Sequence, residues 1–386
     1  MALRKEHRDW LTLALVPGVG TAHFIRLLAR FRTAENVLNA SRGTLSEVVG
    51  EKLAERIAQY ADVVDVDAQQ RRMADYDVAL VTLEDPEYPV RLAEIYDPPL
   101  ALFVRGELRE EDAHCVSIVG TRRPTPYGVR MAEKFGRELA ARGITVVSGM
   151  AAGIDAAAHR GALENGGRTI AVLGNGVDIV YPAQNAELMH QIIQHGCVIS
   201  QFPMGVKPSK GHFPYRNRII SGLALGTLIV EAPPQSGALI TARQAAEQGR
   251  EVFAVPGQVG VANSQGPHSL IRDGAKLVET VEDIIVELEL PAECRQAPRA
   301  VEAPPEPERA ETAAVPAAPK TLARRGAQPA DKREKDVLSV LSPDGSFVDE
   351  IAMACRISVS EALSALTLLE LKGLVRQFSG KRFAPR

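Results

Sequence analysis

Six short runs decide the fold: SIVGTR (residues 117–122), VVSGMAAGIDAAAH (146–159), TIAVLGNGVD (169–178), CVISQFP (197–203), TLIVEAP (227–233) and EVFAVPG (251–257). Each begins with a β-branched, almost unbroken apolar stretch, and most are followed by a helix-like segment. Strands that hardly alternate and are separated by helices belong to a parallel sheet covered on both faces. The centre of the chain therefore reads as a Rossmann-like α/β core with a mostly parallel sheet.

Glycines crowd the carboxyl ends of these runs: Gly120, Gly149, Gly153, Gly174 and Gly176. Such turns gather backbone N–H groups at one crest of an open sheet, where these folds place their ligands and where an anion is favoured. The crest glycines Gly120, Gly149 and Gly153 are therefore candidates for ligand contact. The dinucleotide fingerprint is absent, because the glycine spacing in SIVGTRRPTPYG is wrong, and no G-x-x-x-x-G-K-[ST] run occurs.

KGHFPYRNRIISG (210–222) is the most informative stretch inside the core. Lys210, His212, Arg216 and Arg218 fall close together, with Phe213 and Tyr215 between them, and residues 188–230 contain no Asp or Glu. Cations interleaved with aromatic rings suit a phosphodiester chain whose unstacked bases lie on the rings. The competing reading makes the rings core residues and the arginines caps of internal carboxylates. With no acid nearby in sequence, the spacing favours an anionic ligand.

Three carboxylates and a histidine carry the possible chemistry. Asp155 and His159 stand four apart in GIDAAAHRG and share a helix face, as a base and its orienting acid would; the plainer reading is that they tie down the turn after the second core strand. Asp178 and Glu231 follow strand ends and read as groups that shape the pocket. A hydrolase using Asp155, His159 and Glu231 is the alternative to a binding protein. No metal site is expected, since there is no H-E-x-x-H run and Cys115, Cys197, Cys294 and Cys355 lack CxxC spacing.

The chain has 386 residues and a formal net charge of -3, which argues against nucleic-acid binding over its whole surface but permits a local basic groove. No apolar run approaches the length of a membrane span, so a soluble intracellular protein without membrane contact is expected. At the start, Trp10, Leu11, Leu13, Leu15 and Val16 lead through Pro17-Gly18-Val19-Gly20 into HFIRLLARF (23–31), and LSEVVGEKLAERIAQY (45–60) is a weaker echo. This is a helical helix-hairpin-helix, SAM-like module over 1–75; with Glu47, Glu51 and Glu55 nearby, packing is its simplest role. DVALVTLED (77–85) and PLALFVRG (99–106) read as extra edge strands of the 76–290 core, and 275–290 as a closing helix.

Residues 291–330 hold eight prolines and almost no large apolar side chains, the composition of a linker. Beyond it, 331–386 reads as three helices and two strands about Ser379 and Gly380, a winged-helix domain. Either Ser358 or Ser360 caps its third helix, which carries only Lys372 as a cation. Five Lys/Arg and no acid follow from residue 371, so both a duplex DNA contact and a protein contact remain open for this domain.

SIVGTR, SGMAAGIDAAAH (148–159), TIAVLGNGVDIVYP (169–182), FPYRNRIISG (213–222) and SGALITARQAAEQGREVFAVPG (236–257) together resemble the DNA-processing protein A family, also called Smf. The resemblance covers 76–285 at high specificity, and the flanking modules agree with an architecture of that family. It implies a non-enzymatic bacterial protein of the cytoplasm that needs no cofactor. Such a protein binds single-stranded DNA, protects incoming DNA in natural transformation and competence, and helps load the RecA recombinase during recombination. It also implies a homodimer formed through the core; the small and apolar residues of 237–253 separately mark that stretch as the candidate surface. Carried over residue by residue, Arg122, Lys210 and Phe213 line the DNA pocket; Arg216 and Arg218 are added from charge and spacing. A fainter resemblance to Rossmann-like phosphoribohydrolases lacks their G-G-G-x-G-T-x-x-E run.

Overall fold

A computed structural model describes residues 3–288, 290, 291, 294, 332–342, 346–355, 357–372, 374–378 and 382–385. Most of the linker expected at 291–330, and the Ser379 and Gly380 turn, lie outside the described residues. The rest falls into two compact units, one within 1–302 and one within 303–386.

The first unit is built on a nine-stranded sheet. Its strands are β1 (Val78–Thr82), β2 (Ala101–Gly106), β3 (Cys115–Val119), β4 (Thr145–Ser148), β5 (Thr169–Val172), β6 (Cys197–Ser200), β7 (Gly226–Ile229), β8 (Glu251–Ala254) and β9 (Lys276–Leu277). They lie in the order β1-β2-β6-β5-β4-β3-β7-β8-β9. All pairs from β6 to β9 are parallel, and β1 and β2 form the antiparallel edge read from the sequence. Every residue of β3 to β7 is buried, which is why these strands read as continuous apolar runs. Phe135, Leu139 and Ala158 cover one face; Ile219, Ile220 and Leu223 cover the other. The chain leaves β3 toward β6 on one side and returns to β7 on the other, so the strand order reverses between β3 and β7. Open α/β sheets bind ligands outside the carboxyl ends at such a reversal.

Helices Lys5–Leu15 and Thr21–Phe31 form the expected first hairpin, with Gly18 at φ +97°; Arg42–Val49 and Glu51–Ala58 form the second around Gly50. The first packs on the sheet, where Trp10 Nε1 donates to the Leu100 carbonyl at 2.8 Å, and the second packs on the first; their shared apolar core merges with Val78, Leu80 and Phe103. The closing helix expected at 275–290 is shorter than its apolar pattern. Lys276–Leu277 adds β9 to the sheet, and helix Val281–Glu287 starts only after Thr280, where the Asp283 carboxylate accepts from the Thr280 and Glu279 amides at 2.8 and 3.0 Å.

The second unit has helices Lys332–Val340, Val348–Cys355 and Val359–Leu371 and a three-stranded sheet of β10 (Ser346–Phe347), β12 (Arg382–Pro385) and β11 (Val375–Phe378). Ser358, not Ser360, caps the third helix: its hydroxyl accepts from the Glu361 amide at 3.3 Å while the Glu361 carboxylate accepts from the Ser358 amide at 3.0 Å. This is the winged-helix arrangement, and the helix at the recognition position holds no Lys or Arg within 359–371.

Candidate nucleic-acid interface

At the carboxyl crest, the turn after β3 presents Arg122, the loop after β6 presents Lys210, and helix His212–Leu223 presents Phe213 from its first turn. Arg122 and Lys210 are exposed and neither forms an ion pair among the described residues. The Arg122 guanidinium carbon lies 5.1 Å from the centroid of the half-buried Phe213 ring. A Cβ at Gly174 would stand 2.9 Å from Phe213 Cδ1, so the ring rests on the bare backbone at the end of β5.

Two aromatic residues that the charge pattern passed over complete a row. Tyr181 stacks on Phe213 with centroids 5.6 Å apart and planes 25° apart, and Phe202 stacks on His212 at 4.2 Å. Tyr215 meets Phe202 edge on at 6.5 Å and lies under the Arg218 guanidinium at 4.0 Å. Tyr181 and Phe202 both follow strand ends, in TIAVLGNGVDIVYP and CVISQFP; a search for rings at those positions would have found them.

The structure separates the cations that sequence grouped together. Arg216 and Arg218 are buried, at 4% and 7% exposure, which corrects the placement of both as crest cations open to a strand. Arg216 Nη1 donates to the Gly149 carbonyl at 2.9 Å and to the Val172 carbonyl, satisfying the tips of β4 and β5. Burial lowers its pKa to about 10, with Asp155 opposing and Arg122 reinforcing that shift. Arg218 pairs with Asp97 at 3.2 Å and donates to Gln201 Oε1 at 2.8 Å. The acids missing from 188–230 come from elsewhere in the chain, because folding brings distant loops to the same crest.

The crest glycines stand where the chain packs closely on itself. A Cβ at Gly149 would stand 2.5 Å from Arg216 Nη1 and 2.7 Å from Asp155 Oδ2, and one at Gly120 would stand 2.6 Å from Ile154 Cγ1. Gly153 adopts φ +89°, and its Cβ would stand 2.4 Å from the Thr121 carbonyl oxygen. Some of the crest amides are likewise used internally: Thr121 N–H donates to the Glu231 carbonyl at 2.7 Å and Ile154 N–H to the Thr121 carbonyl at 3.2 Å.

Asp155 and His159 do share the helix Ile154–Leu163, but both are buried. Burial raises the Asp155 carboxyl above the usual range, against the opposing pull of Arg216 and of the Ala151 and Gly120 amides. The Thr169 hydroxyl donates to the Val146 carbonyl at 2.7 Å, so its oxygen accepts from His159 Nδ1, also at 2.7 Å. Burial lowers the His159 pKa to about 3 and keeps the ring neutral. Glu231 accepts from the Thr125 amide at 2.9 Å, the Thr125 hydroxyl at 2.5 Å and Asn263 at 3.1 Å. Asp178, with a fully buried side chain, binds Arg72 Nε at 2.5 Å and the Gly205 amide at 3.0 Å, tying the crest to the helical module. All four make internal hydrogen bonds. Among the described residues, no three His, Cys, Asp or Glu side chains are gathered to hold a metal ion, and no helix is long and apolar enough to cross a membrane.

Comparison with known families matches residues 79–289 to the family described as DNA recombination-mediator protein A. Residues 302–381 match the DprA winged helix domain and 11–61 a SAM-like helix-hairpin-helix tandem. The chain is 36% identical over 394 residues to protein Smf of Synechocystis, covering 99% of each. It is 45% identical over 205 residues to DNA processing protein DprA of Streptococcus pneumoniae, covering 53% of this chain and 72% of that one. The X-ray structure of the pneumococcal protein superposes with a TM-score of 0.65 at 35% identity, over 75% of this chain and all of that one.

Proposed function

Because the chain belongs to the DNA recombination-mediator protein A family, we propose that it is a non-catalytic single-stranded DNA-binding protein whose strand lies across the crest formed by Arg122, Lys210 and Phe213. One observation carries this reading: an exposed guanidinium that forms no ion pair among the described residues lies 5.1 Å from an aromatic ring at the strand-order reversal, and Lys210, in the loop after β6, is exposed and likewise unpaired among the described residues. Cations hold phosphates and the ring carries a base, a combination that tolerates any sequence. The alternative as a nucleotide hydrolase is disfavoured because Asp155, His159 and Glu231 are all buried in internal bonds.

On this reading the protein acts in the bacterial cytoplasm during natural transformation and homologous recombination, protecting incoming DNA and helping to load the RecA recombinase. It works as a homodimer formed through the core. A groove lined by Pro256, Val259, Ile271 and Leu277, with Ile240 exposed nearby, supports an apolar contact on the β8 and β9 side, extending the surface expected at 237–253. The winged-helix unit serves a protein partner rather than a duplex, since its recognition helix carries Glu361 and Glu370 and no cation.

The test is a titration with single-stranded DNA, duplex and a mononucleotide at several salt concentrations. Preference for the single strand, weakening steeply with salt, is the expected result. Turnover of a nucleotide, or equal affinity for strand and mononucleotide, would overturn the reading.

A further inference from the structure

A cleft of about 200 Å³ opens between the first helical hairpin and the crest. Leu15, Val19 and Gly20 form its hairpin side, and Gln201, Phe202, Tyr215 and Arg218 face them. It is smaller than the roughly 300 to 1,000 Å³ of a drug-sized site, a volume that suits one planar ring system.

Three features make it more than a gap in packing. The aromatic row runs into it, because Phe202 stacks on His212, the neighbour of Phe213, and Tyr215 follows Phe202. Arg218 Nη2 donates to Gln201 Oε1 at 2.8 Å, which orients the carboxamide and leaves Gln201 Nε2 as a buried donor with no partner among the described residues. Such donors are uncommon and call for an acceptor. Both sides are also held in place, by Thr21 Oγ1 donating to the Pro98 carbonyl at 3.0 Å and Tyr215 Oη to Asp97 at 3.1 Å.

We propose that this cleft takes an unstacked base of the same single strand that crosses the crest. The base packs between the hairpin wall and the Tyr215 ring, and a small turn of the Gln201 carboxamide brings the buried Nε2 to a ring nitrogen or carbonyl of the base. A base fits better than a phosphate, because the Arg218 charge is already neutralised by Asp97 at 3.2 Å. Every nucleobase has an acceptor, so the contact adds affinity without reading sequence. The inference rests on the crest reading, and it extends the strand's path from the sheet to the helical module.

Gly20 supplies the test. Its φ of -99° is open to any residue, and a Cβ there meets nothing within 4 Å, so Gly20→Trp fills the cleft without straining the backbone. The full chain is titrated with oligothymidylates of about 3 and about 20 nucleotides, lengths that bracket the ~4–16 nucleotides of a single-strand site. Gly20→Trp and Gln201→Ala are expected to weaken the longer probe, the tryptophan by roughly five- to a hundred-fold. Both should leave the shorter probe unchanged, and Gly20→Ala should match the parent on both. Unchanged affinity of Gly20→Trp for the longer probe overturns the proposal, as does an equal loss on both probes, which would mark damage to the fold. If Arg122→Ala and Phe213→Leu leave both probes unaffected, the crest reading fails first.

Discussion

The Arg122 guanidinium carbon stands 5.1 Å from the centroid of the Phe213 ring, joining the turn after β3 to the helix that follows β6. This contact places a fixed charge beside a stacking surface; the guanidinium forms no ion pair among the described residues and lies in the field of the buried Asp155 carboxyl. Arg122→Ala is predicted to weaken single-strand binding at all sequences alike and to reduce the salt slope by about 0.7. Arg122→Lys should keep the slope but lose part of the affinity, because an ammonium cannot stack on the ring. An affinity and slope in Arg122→Ala equal to the parent's would remove Arg122 from the interface.

The Phe213 ring is supported by the absence of a side chain at Gly174, where a Cβ would approach to 2.9 Å. Phe213→Leu should cost about 1 to 3 kcal/mol of strand binding and Phe213→Tyr little. Gly174→Ala should displace the ring and weaken binding in the same direction. Melting curves distinguish the two roles of Phe213: a large loss of stability in Phe213→Leu would assign the ring to the core.

Arg216 should behave in the opposite way. Its buried guanidinium satisfies the carbonyls of Gly149 and Val172 and lies in the field of buried Asp155. Arg216→Leu is predicted to destabilise the fold by about 3 kcal/mol or more in urea unfolding, whereas Lys210→Ala leaves stability unchanged and weakens DNA binding. A stable Arg216→Leu protein with impaired binding would contradict the internal role.

Burial lowers the folded pKa of His159 to about 3, well below the ordinary histidine value of 6.5. A depressed histidine pKa means that the unfolded chain binds more protons between these two values, so stability falls as pH drops through that window. From pH 7 to pH 5 this one group should remove about 2 kcal/mol. Denaturant unfolding of the parent and of His159→Gln checks it. The variant should show the smaller fall on acidification, and parallel pH profiles would contradict neutral burial of the ring.

The last prediction concerns assembly. A chain ending at Leu290 is expected to remain dimeric by light scattering and to keep most of its single-strand affinity, because the proposed crest and the proposed dimer groove both lie within 1–290. Two crests on one strand raise avidity by roughly 10² or more. A monomer that binds as tightly as the full chain would remove the avidity argument, and a weakly binding monomer would move the dimer contact to the other unit.

Sequence alone determined the core architecture, because strands buried on both faces must be apolar throughout and must be separated by covering helices. β3 to β8 lie where their β-branched runs stand, and the hairpins were legible from Pro17 to Gly20 and from Gly50. Local propensity was weaker at the margins: the two-residue strand β9 depends on β8 beside it, and no local pattern distinguishes it from a helix start.

Tertiary structure decided which cations face solvent. Lys210, Arg216 and Arg218 are equivalent in a linear reading of charge, yet helical geometry directs Arg216 inward to the strand tips and sets Arg218 against Asp97, while Lys210 stays exposed in the preceding loop. The partners Asp97, Gly149 and Val172 are far away in sequence, so no count of nearby acids could reveal them. The crest glycines follow the same logic. Their spacing signals close approach, but only the packed structure shows that the approaching atoms belong to Arg216, Ile154 and Thr121. A sequence records how much charge and how little side chain a segment carries; which groups are withdrawn from water depends on contacts between segments that only the folded sheet brings together.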